Sequence, residues 1–262
     1  METIVDLEKL YHRSKRRIKD LGEVFTPEAY VENMLDLLAK NKRGIWSDET
    51  ISFFEPCAGH GNIAIAIYKR RLDGIYKKAI ANGNNEAPYY ATANALNTLW
   101  AIDIDHENVE NCRSRILATT LLFLKDKLKI DCDKKLFSSN PDFFAHILSA
   151  IKWHIEVNET MSALSDSDSA RSKADLTKSG SNWFAQNGHH QLDFDLTWVS
   201  FYEECEGANT VPIEFERSSR FVEGIISGRL RGLDDYGFAK IVVNNAPPKE
   251  SIFTDESNSV SA

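Results

Sequence analysis

A short glycine-containing segment preceded by an acidic residue is the most chemically distinctive part of the sequence. Residues 54–62 read Phe-Glu-Pro-Cys-Ala-Gly-His-Gly-Asn, and they join an apolar run to a segment with helical periodicity. Gly59 and Gly61 allow the chain to turn sharply and allow a ligand to approach the main chain. With Ala64 they also satisfy a loose dinucleotide-binding pattern. Glu55 argues against a dinucleotide, because its carboxylate would repel a pyrophosphate, and it favours a ligand with positive charge.

Two acidic residues close a second apolar run. The segment NTLWAIDID (97–105) ends in Asp103 and Asp105, and an acid that follows a buried strand can accept hydrogen bonds from a ribose diol. A dinucleotide fingerprint expects that acid roughly 20 residues after the glycines, and Asp103 lies about twice as far away. As an alternative, both carboxylates serve only to cap the next helix, because acids stabilise a helix N-terminus.

Three segments, in this order, resemble cofactor-binding motifs of the S-adenosylmethionine-dependent methyltransferases, specifically the DNA adenine-N6 enzymes. GEVFTP (22–27) is similar to the family's G-x-x-x-T-P element, which packs on the methionine part of the cofactor. The glycine segment is similar to its Asp/Glu-Pro-Ala/Cys-x-Gly/Ala-x-Gly loop. AIDID (101–105) is similar to its second-strand motif, whose first acid binds the ribose and whose next residue stacks on the adenine. The resemblance covers residues 22 to about 143, roughly half of the chain.

This resemblance implies a fold, a cofactor and a set of binding residues. The fold is an α/β doubly wound sheet of the Rossmann-like methyltransferase type, with a mostly helical C-terminal region, and the cofactor is S-adenosylmethionine. Asp103 would bind the ribose hydroxyls, while Ile104 and Phe143 would enclose the adenine. Asp142 would accept a hydrogen bond from the adenine amine. The residues implied to bind the cofactor are Phe25, Thr26, Glu55, Cys57, Ala58, Gly59, Gly61, Asp103, Ile104, Asp142 and Phe143.

The catalytic motif of that family is missing from this chain. The amino-methyltransferases end their fourth strand in Asn/Asp/Ser-Pro-Pro-Tyr/Phe, which holds the target amine and stacks on the flipped base. NPDF (140–143) is the nearest match, but it follows a third strand predicted over KLFSS (135–139). NNAPP (244–248) follows an apolar run, yet Lys249 stands where the aromatic residue belongs. We therefore assign no catalytic residue from the sequence.

The elements needed to position these residues alternate between helix and strand along residues 1–160. This order favours a parallel sheet with helices on its faces, and right-handed crossovers would bring the three strand ends to one edge. The segment ANGNNEAP (81–88) is predicted to be a loop because it is rich in turn-forming residues. Strands are predicted at 51–54, 97–105 and 135–139, and helices at 3–20, 27–40, 63–80, 106–128 and 143–155.

The composition changes after residue 158. Residues 161–190 are rich in Ser, Asp and Lys and are interpreted as a polar linker or a mobile loop. Trp183 and Phe184 within it belong either to a base-contacting loop or to a small satellite core. Residues 191–250 are predicted to be mostly helical, and residues 251–262 are predicted to be a disordered tail.

Composition limits the partners and the location of the protein. With 262 residues, 42% of them hydrophobic, and a net charge of −8, the chain has a globular composition and is not a generally basic nucleic-acid coat. DNA binding would therefore use a local patch. The four cysteines lie far apart, which predicts neither a metal site nor a disulfide framework and favours a cytoplasmic location. Neither a signal peptide nor a membrane span is predicted.

These observations favour an S-adenosylmethionine-dependent methyltransferase that modifies adenine N6 in DNA, of the restriction–modification type. The missing catalytic motif supports an alternative, a non-catalytic protein that keeps the cofactor fold and acts as a subunit or decoy in a modification or defence complex. In either case a protein partner could complete the active site. A third alternative is a nicotinamide-dependent oxidoreductase, and Glu55 and the late position of Asp103 argue against it.

Overall fold

The computed structural model describes residues 26–233 and 236–239. Within these residues the chain is α/β: three strands form one parallel sheet, and most of the remaining residues are helical. Four predictions lie outside the described residues: the helix at 3–20, the role of Phe25, the NNAPP segment and the C-terminal tail. The strands are β1 (Phe53–Glu55), β2 (Leu99–Asp103) and β3 (Ile155–Val157).

Helices surround this small sheet. The first, α1, begins directly after Pro27, whose fixed backbone angle suits the start of a helix. The helices of the described residues are α1 (Glu28–Asn41), α2 (Asn62–Ala81), α3 (Ala87–Asn97), α4 (His106–Leu128), α5 (Asp133–Ser139), α6 (Pro141–His154), α7 (Thr160–Leu164), α8 (Ser167–Ala174), α9 (Lys178–Asn187), α10 (Trp198–Gly207) and α11 (Ile213–Ile226).

The sheet is short, parallel and apolar. The central strand β2 pairs with both neighbours, and four of its five residues are buried. Phe54 and Trp100 are register partners, so they share one face of the sheet, and the ring of Phe194 packs on both at 5.0 and 5.5 Å. A parallel sheet needs both of its faces covered. The segment between α9 and α10 therefore contributes to covering this face.

The strand order does not reverse within the described residues. The order is β1-β2-β3, which follows the chain. A doubly wound sheet reverses its order at a switch point, and ligands bind in the crevice there. The observed architecture is thus a small parallel sheet in a mostly helical α/β chain, and the doubly wound arrangement is not seen among residues 26–233 and 236–239.

The third strand lies later in the chain than the sequence predicted. Residues 135–139 belong to helix α5, and the strand is Ile155–Val157, where the end of a helix was expected. A run of five residues with two apolar members is too short for its periodicity to separate helix from strand. The two apolar residues, Leu136 and Phe137, are fully buried on one side of α5. Helix α6 passes into β3 without a loop, since its C-cap is Ile155 in an extended conformation.

The loop predicted at 81–88 is shorter than expected. Helix α3 begins at Ala87 and continues to Asn97, directly before β2. Pro88 was read as part of the loop, but proline is well tolerated in the first turn of a helix. The turn itself is confirmed at Gly83, which adopts a φ of 75°.

The segment predicted to be a polar linker contains three short helices. Asp166 and Thr177 cap α8 and α9 with their side chains, so polar residues here start helices. Helices α8 and α9 enclose a small cluster made by Ala170, Ala174, Trp183 and Phe184. The satellite core that was one of two alternatives for Trp183 and Phe184 is therefore present, and the backbone of α7–α9 is helical where a polar linker or a mobile loop was predicted.

The C-terminal helices pack back on the first half of the chain. Helix α11 lies along α6, where the hydroxyls of Ser149 and Ser218 are 2.7 Å apart. Helix α10 begins with Trp198, which is fully buried against α6. The helices at 198–207 and 213–226 agree with those predicted for this region.

Candidate functional site

The loops that follow the three strands meet at one edge of the sheet. Because the strands are parallel, their carboxyl ends lie together, at Glu55, Asp103 and Val157. The amide of Ala58 donates to the carbonyl of Ile102 at 2.8 Å, and the amide of Asn158 donates to the carbonyl of Asp103 at 3.1 Å. The main chain of β2 therefore holds the loops after β1 and β3 on either side of it.

The glycine loop adopts the sharp turn expected from its sequence. Gly59 and Gly61 have φ values of 52° and 88°, in the left-handed region that glycine accepts without strain. Gly61 is buried, and a Cβ added to it would lie 2.5 Å from the sulfur of Cys112. The loop can therefore approach α4 only if residue 61 is glycine.

Asp103 ties the glycine loop to the end of β2. Its Oδ2 accepts a hydrogen bond from the amide of Gly59 at 2.8 Å. Its Oδ1 accepts from the amide of Asp105 at 2.9 Å and from the side chain of Asn108 at 3.1 Å. A carboxylate offers about four acceptor positions, so about one remains for a ligand. Asp105 instead caps α4 by accepting from the amide of Asn108 at 3.0 Å, which confirms the capping alternative for this residue.

Glu55 is a partly buried carboxylate that pairs with no cation in the part of the chain that the structure describes. It accepts one hydrogen bond, from the amide of Cys57 at 3.2 Å. Burial raises the pKa of Glu55, and the negative charge of Asp103 raises it further. No lysine or arginine among the described residues forms an ion pair with Glu55 or Asp103. This edge of the sheet is therefore suited to a ligand that brings positive charge.

The thiol of Cys57 is exposed but is not activated as a nucleophile. Its sulfur lies 3.7 Å from the hydroxyl of Thr160, which itself donates to the carbonyl of Pro56 at 2.9 Å. Burial raises the pKa of the Cys57 thiol, so the thiol stays protonated near neutral pH. Thr160 thereby links the start of α7 to the glycine loop.

Helix α4 packs against the glycine loop and holds it through side-chain contacts. Arg115 donates to the carbonyl of His60 and to the side-chain oxygen of Asn62, both at 2.7 Å. Together with Cys112, Arg115 holds the segment that turns from the loop into α2. Neither residue belongs to a local motif, so no sequence pattern pointed to them.

Ile104 and Thr26 occupy different surroundings. Ile104 is partly buried against the small cluster of α8 and α9, so it faces the segment that was predicted to be a linker. Thr26 precedes α1 and is partly buried. Six of the predicted residues therefore lie together at the glycine loop and the end of β2: Glu55, Cys57, Ala58, Gly59, Gly61 and Asp103.

Asp142 and Phe143 do not follow a strand. They lie in the first turn of α6, where the side chain of Asn140 accepts from the amide of Phe143 at 3.3 Å. The ring of Phe143 packs on Tyr89 at 4.7 Å and lines a cavity between helices. Both residues were expected at the adenine because a strand was predicted at 135–139, but residues 135–139 are helical.

The residues that do follow the third strand are Asn158 and Glu159. Asn158 is buried, and its side-chain oxygen accepts from the amide of Glu159 at 2.8 Å. Its amide group donates to Glu156 at 3.1 Å and to the carbonyl of His190 at 3.0 Å. Glu159 caps α7 with Oε2, at 2.9 Å from the amide of Ser162. The alternation of Ile155 and Val157 with polar residues was a weak indication of this strand.

Comparisons with known proteins add no assignment: no family model matches the sequence, and no match was found among curated proteins or solved structures. Within the described residues, no helix is both long and apolar enough to cross a membrane. The same residues contain no group of three or more His, Cys, Asp and Glu side chains arranged to hold a metal ion.

Proposed function

We propose that the carboxyl edge of the sheet binds S-adenosylmethionine and that the chain is a methyltransferase of the DNA adenine-N6 type, as in restriction–modification systems. The observation that carries the proposal is Glu55, a partly buried carboxylate beside a left-handed glycine loop, with no cation paired to it among residues 26–233 and 236–239. S-adenosylmethionine carries a sulfonium and an ammonium, which would compensate this charge. Its ribose diol suits the acceptor position that remains on Asp103.

The strand order supports the finer fold class that belongs to this proposal. The doubly wound order is 3-2-1-4-5-6, and its first three strands, read in reverse, have the order β1-β2-β3 that is observed here. In that fold the phosphate or cofactor loop follows β1 and an acid follows β2, as Gly59 and Asp103 do here. A Rossmann-like methyltransferase domain is therefore the fold that we infer.

The adenine end of the cofactor would lie nearer to β3 than the sequence suggested. Glu159 has one carboxylate oxygen, Oε1, without a partner among the described residues. It would accept a hydrogen bond from the exocyclic amine, the role that the resemblance gave to Asp142. Ile104 directly follows β2 and is partly buried, so its apolar side chain would contact the base.

When bound, the cofactor would supply an activated methyl group for transfer to an exocyclic amine of DNA. The protein residues would act by binding and orientation. Glu55 would face the cationic part of the ligand. Asp103 would hold the glycine loop and the ribose in fixed positions relative to each other. No strong base is needed, because holding the two reactants in line supplies most of the rate enhancement.

A non-catalytic role is the second candidate, and one observation favours it. Asn140, in the segment nearest to the missing catalytic motif, caps α6 with its side chain and follows no strand. It is therefore engaged in starting a helix. Residues 244–248 lie outside the described residues. A chain of this kind would bind the cofactor and act as a subunit, with a protein partner supplying the group that holds the amine.

Titration calorimetry of the full chain tests the binding proposal. We expect binding of S-adenosylmethionine and none of NADH. Glu55→Gln and Asp103→Asn should each weaken binding by about tenfold, roughly 1.4 kcal/mol, through the loss of charge-assisted contacts. Asp126→Asn is the control, since Asp126 is exposed near the far end of α4 and pairs with Lys127. Binding of NADH without any response to S-adenosylmethionine would overturn the proposal.

Two further comparisons separate the alternatives. Glu159→Gln should weaken S-adenosylmethionine binding more than Asp142→Asn, and the reverse result would return the adenine to the first turn of α6. Tritiated methyl incorporation into mixed genomic DNA then tests catalysis. Transfer by the isolated chain would exclude the non-catalytic role, whereas confirmed cofactor binding without transfer would favour it. Restoration of transfer by a co-purified partner would indicate a shared active site.

A further inference from the structure

A second cavity lies between helices α3, α6 and α10, and it shares no residue with the site at the strand ends. Its volume is about 340 Å³. The cavity lies toward the N-terminal ends of the strands, whereas the strand-end site lies at their carboxyl ends. Asn97, which lines the cavity, is two residues before β2, and its side-chain oxygen accepts from the amide of Val199 at 3.4 Å. A concave site between packed helices, with mostly apolar walls and a few polar groups, has the form of a small-molecule site.

Four aromatic rings form much of the wall. They are contributed by Phe143, His146, Trp198 and Tyr202. The rings of His146 and Tyr202 meet edge to face at 4.5 Å. The indole of Trp198 donates to Nδ1 of His146 at 3.3 Å, which assigns the imidazole proton to Nε2. Packing and this hydrogen bond therefore fix the rings before any ligand arrives, and aromatic faces attract cations.

The charges around the cavity are acidic. Glu203 and Glu206 lie at its exposed rim, and neither forms an ion pair with a residue that the structure describes. Helix α10 has three glutamates and no lysine or arginine, and α3 has no charged residue at all. The opening of the cavity thus attracts positive charge, while its interior is apolar and aromatic.

The imidazole of His146 in the wall does not oppose a cation at neutral pH. Burial lowers the pKa of His146, although the nearby negative charges of Asp142 and Glu206 act in the other direction. The imidazole is therefore neutral at pH 7. It presents an Nε2–H donor and an uncharged ring to the cavity.

We propose that this cavity binds a small organic ammonium ion, with the aromatic rings around its alkyl groups and with Glu203 and Glu206 at its charge. Aromatic rings combined with one or two carboxylates are the arrangement that recognises quaternary ammonium groups. The cavity is large enough for an ammonium ion with a short substituent. This proposal is independent of the one for S-adenosylmethionine, because the two sites have no residue in common.

Choline and its neutral isostere 3,3-dimethyl-1-butanol provide the test. They have nearly the same shape, and only choline carries a charge. We expect calorimetry or saturation-transfer NMR on the full chain to show choline binding and at least about tenfold weaker binding of the alcohol. Tyr202→Leu, which keeps the apolar volume but removes the ring, should weaken choline binding by about tenfold.

Glu206→Gln tests the charge at the rim. We expect about threefold weaker choline binding, because an exposed carboxylate is screened by solvent. Glu216→Gln is the matched control, since Glu216 is an exposed glutamate on α11 that does not line the cavity. If Tyr202→Leu fails to fold, the choline–alcohol difference and Glu206→Gln still decide the question.

Three results would overturn the proposal. Equal affinity for the alcohol and choline would show an apolar cavity without selectivity for charge. Absence of choline binding to the folded protein at millimolar concentration would show that the cavity is not an ammonium site. Competition between choline and S-adenosylmethionine would assign choline to the strand-end site. Failure of S-adenosylmethionine to bind would leave the expected choline result unchanged, so the two proposals fail separately.

Discussion

The strand-end site and the helical cavity are built in different ways, although both are negatively charged. At the strand ends, main-chain hydrogen bonds and one carboxylate, Asp103, hold the loops, and the glycine loop requires a particular backbone conformation. In the cavity, rings from two helices, α6 and α10, pack on one another, and the main chain is regular helix. The first site therefore depends on backbone geometry, whereas the second depends on side-chain packing.

The two regions also differ in how strongly their charges act. Glu55 is partly buried, and its pKa is raised, so a cation there interacts in a medium of low polarity. Glu206 is exposed, and water and salt screen its charge. Removal of a carboxylate should therefore have a larger effect at the strand ends than at the cavity. Three further predictions test this contrast, in order of decreasing effect.

The largest effect is expected from Gly61→Ala. The added methyl group would lie 2.5 Å from the sulfur of Cys112 at a φ of 88°, so steric overlap adds to backbone strain. We expect a loss of about 2–4 kcal/mol in the free energy of unfolding, measured by urea denaturation. Gly83→Ala is the control: Gly83 has a φ of 75° with nothing within 4 Å of the added carbon, and about 1 kcal/mol is expected.

Equal losses from the two glycine substitutions would show that contact with α4 does not constrain the glycine loop. In that case the contrast between a rigid strand-end loop and a packed helical cavity would no longer hold. A small loss for Gly61→Ala with unchanged S-adenosylmethionine binding would lead to the same conclusion.

The second prediction concerns His154, which connects the start of β3 to the cavity wall. Its Nε2 accepts from the amide of Trp198 at 3.2 Å, and burial lowers its pKa from 6.5 to about 3. Only the unfolded state binds the proton between these values, so stability falls as the pH decreases below 6.5. The contribution of His154 should decrease by about 2 kcal/mol between pH 7 and pH 5.

His154→Gln tests this, because glutamine can still accept a hydrogen bond but does not titrate. Urea denaturation at pH 7 and pH 5 should show a smaller decrease in stability for the variant than for the wild type. Parallel pH profiles would indicate that His154 is protonated in the folded protein.

The smallest effect is expected at Glu55 in the absence of ligand. Its pKa is raised in the folded state, so the folded protein favours the protonated form, and stability decreases as the pH rises through that raised pKa. Glu55→Gln should therefore stabilise the protein at pH 8, by less than about 1 kcal/mol, and should have no such effect at pH 4. The same substitution weakens the proposed cofactor binding, so stability and binding should change in opposite directions.

A stabilisation of equal size at pH 4 and pH 8 would attribute the effect to packing and not to charge. Thermal unfolding at the two pH values, with Asp126→Asn as the exposed control, provides the measurement. Destabilisation at pH 8 would show that an unrecognised cation compensates Glu55.

Local sequence was sufficient for the glycine loop and for the strand and the helix on either side of it. Residues 53–61 contain an apolar run, an acid, a proline and two glycines, and each restricts its own backbone. The same reasoning failed for residues 135–139 and 155–157. A strand of three residues is stabilised by its pairing with β2, and that pairing is not visible in a short run of apolar residues.

The sequence by itself determined the strand–glycine–helix loop, the acids after β2 and the helices of the C-terminal region, because caps, glycines and hydrophobic periodicity act over a few residues. Only the tertiary structure decided that Asn158 and Glu159 follow the third strand and that Phe143 lies with Trp198 and Tyr202. The first grouping depends on the pairing of β3 with β2. The second joins residues about 50 or more positions apart in the chain. They form when helices and strands bury their apolar faces together, and no local pattern encodes them.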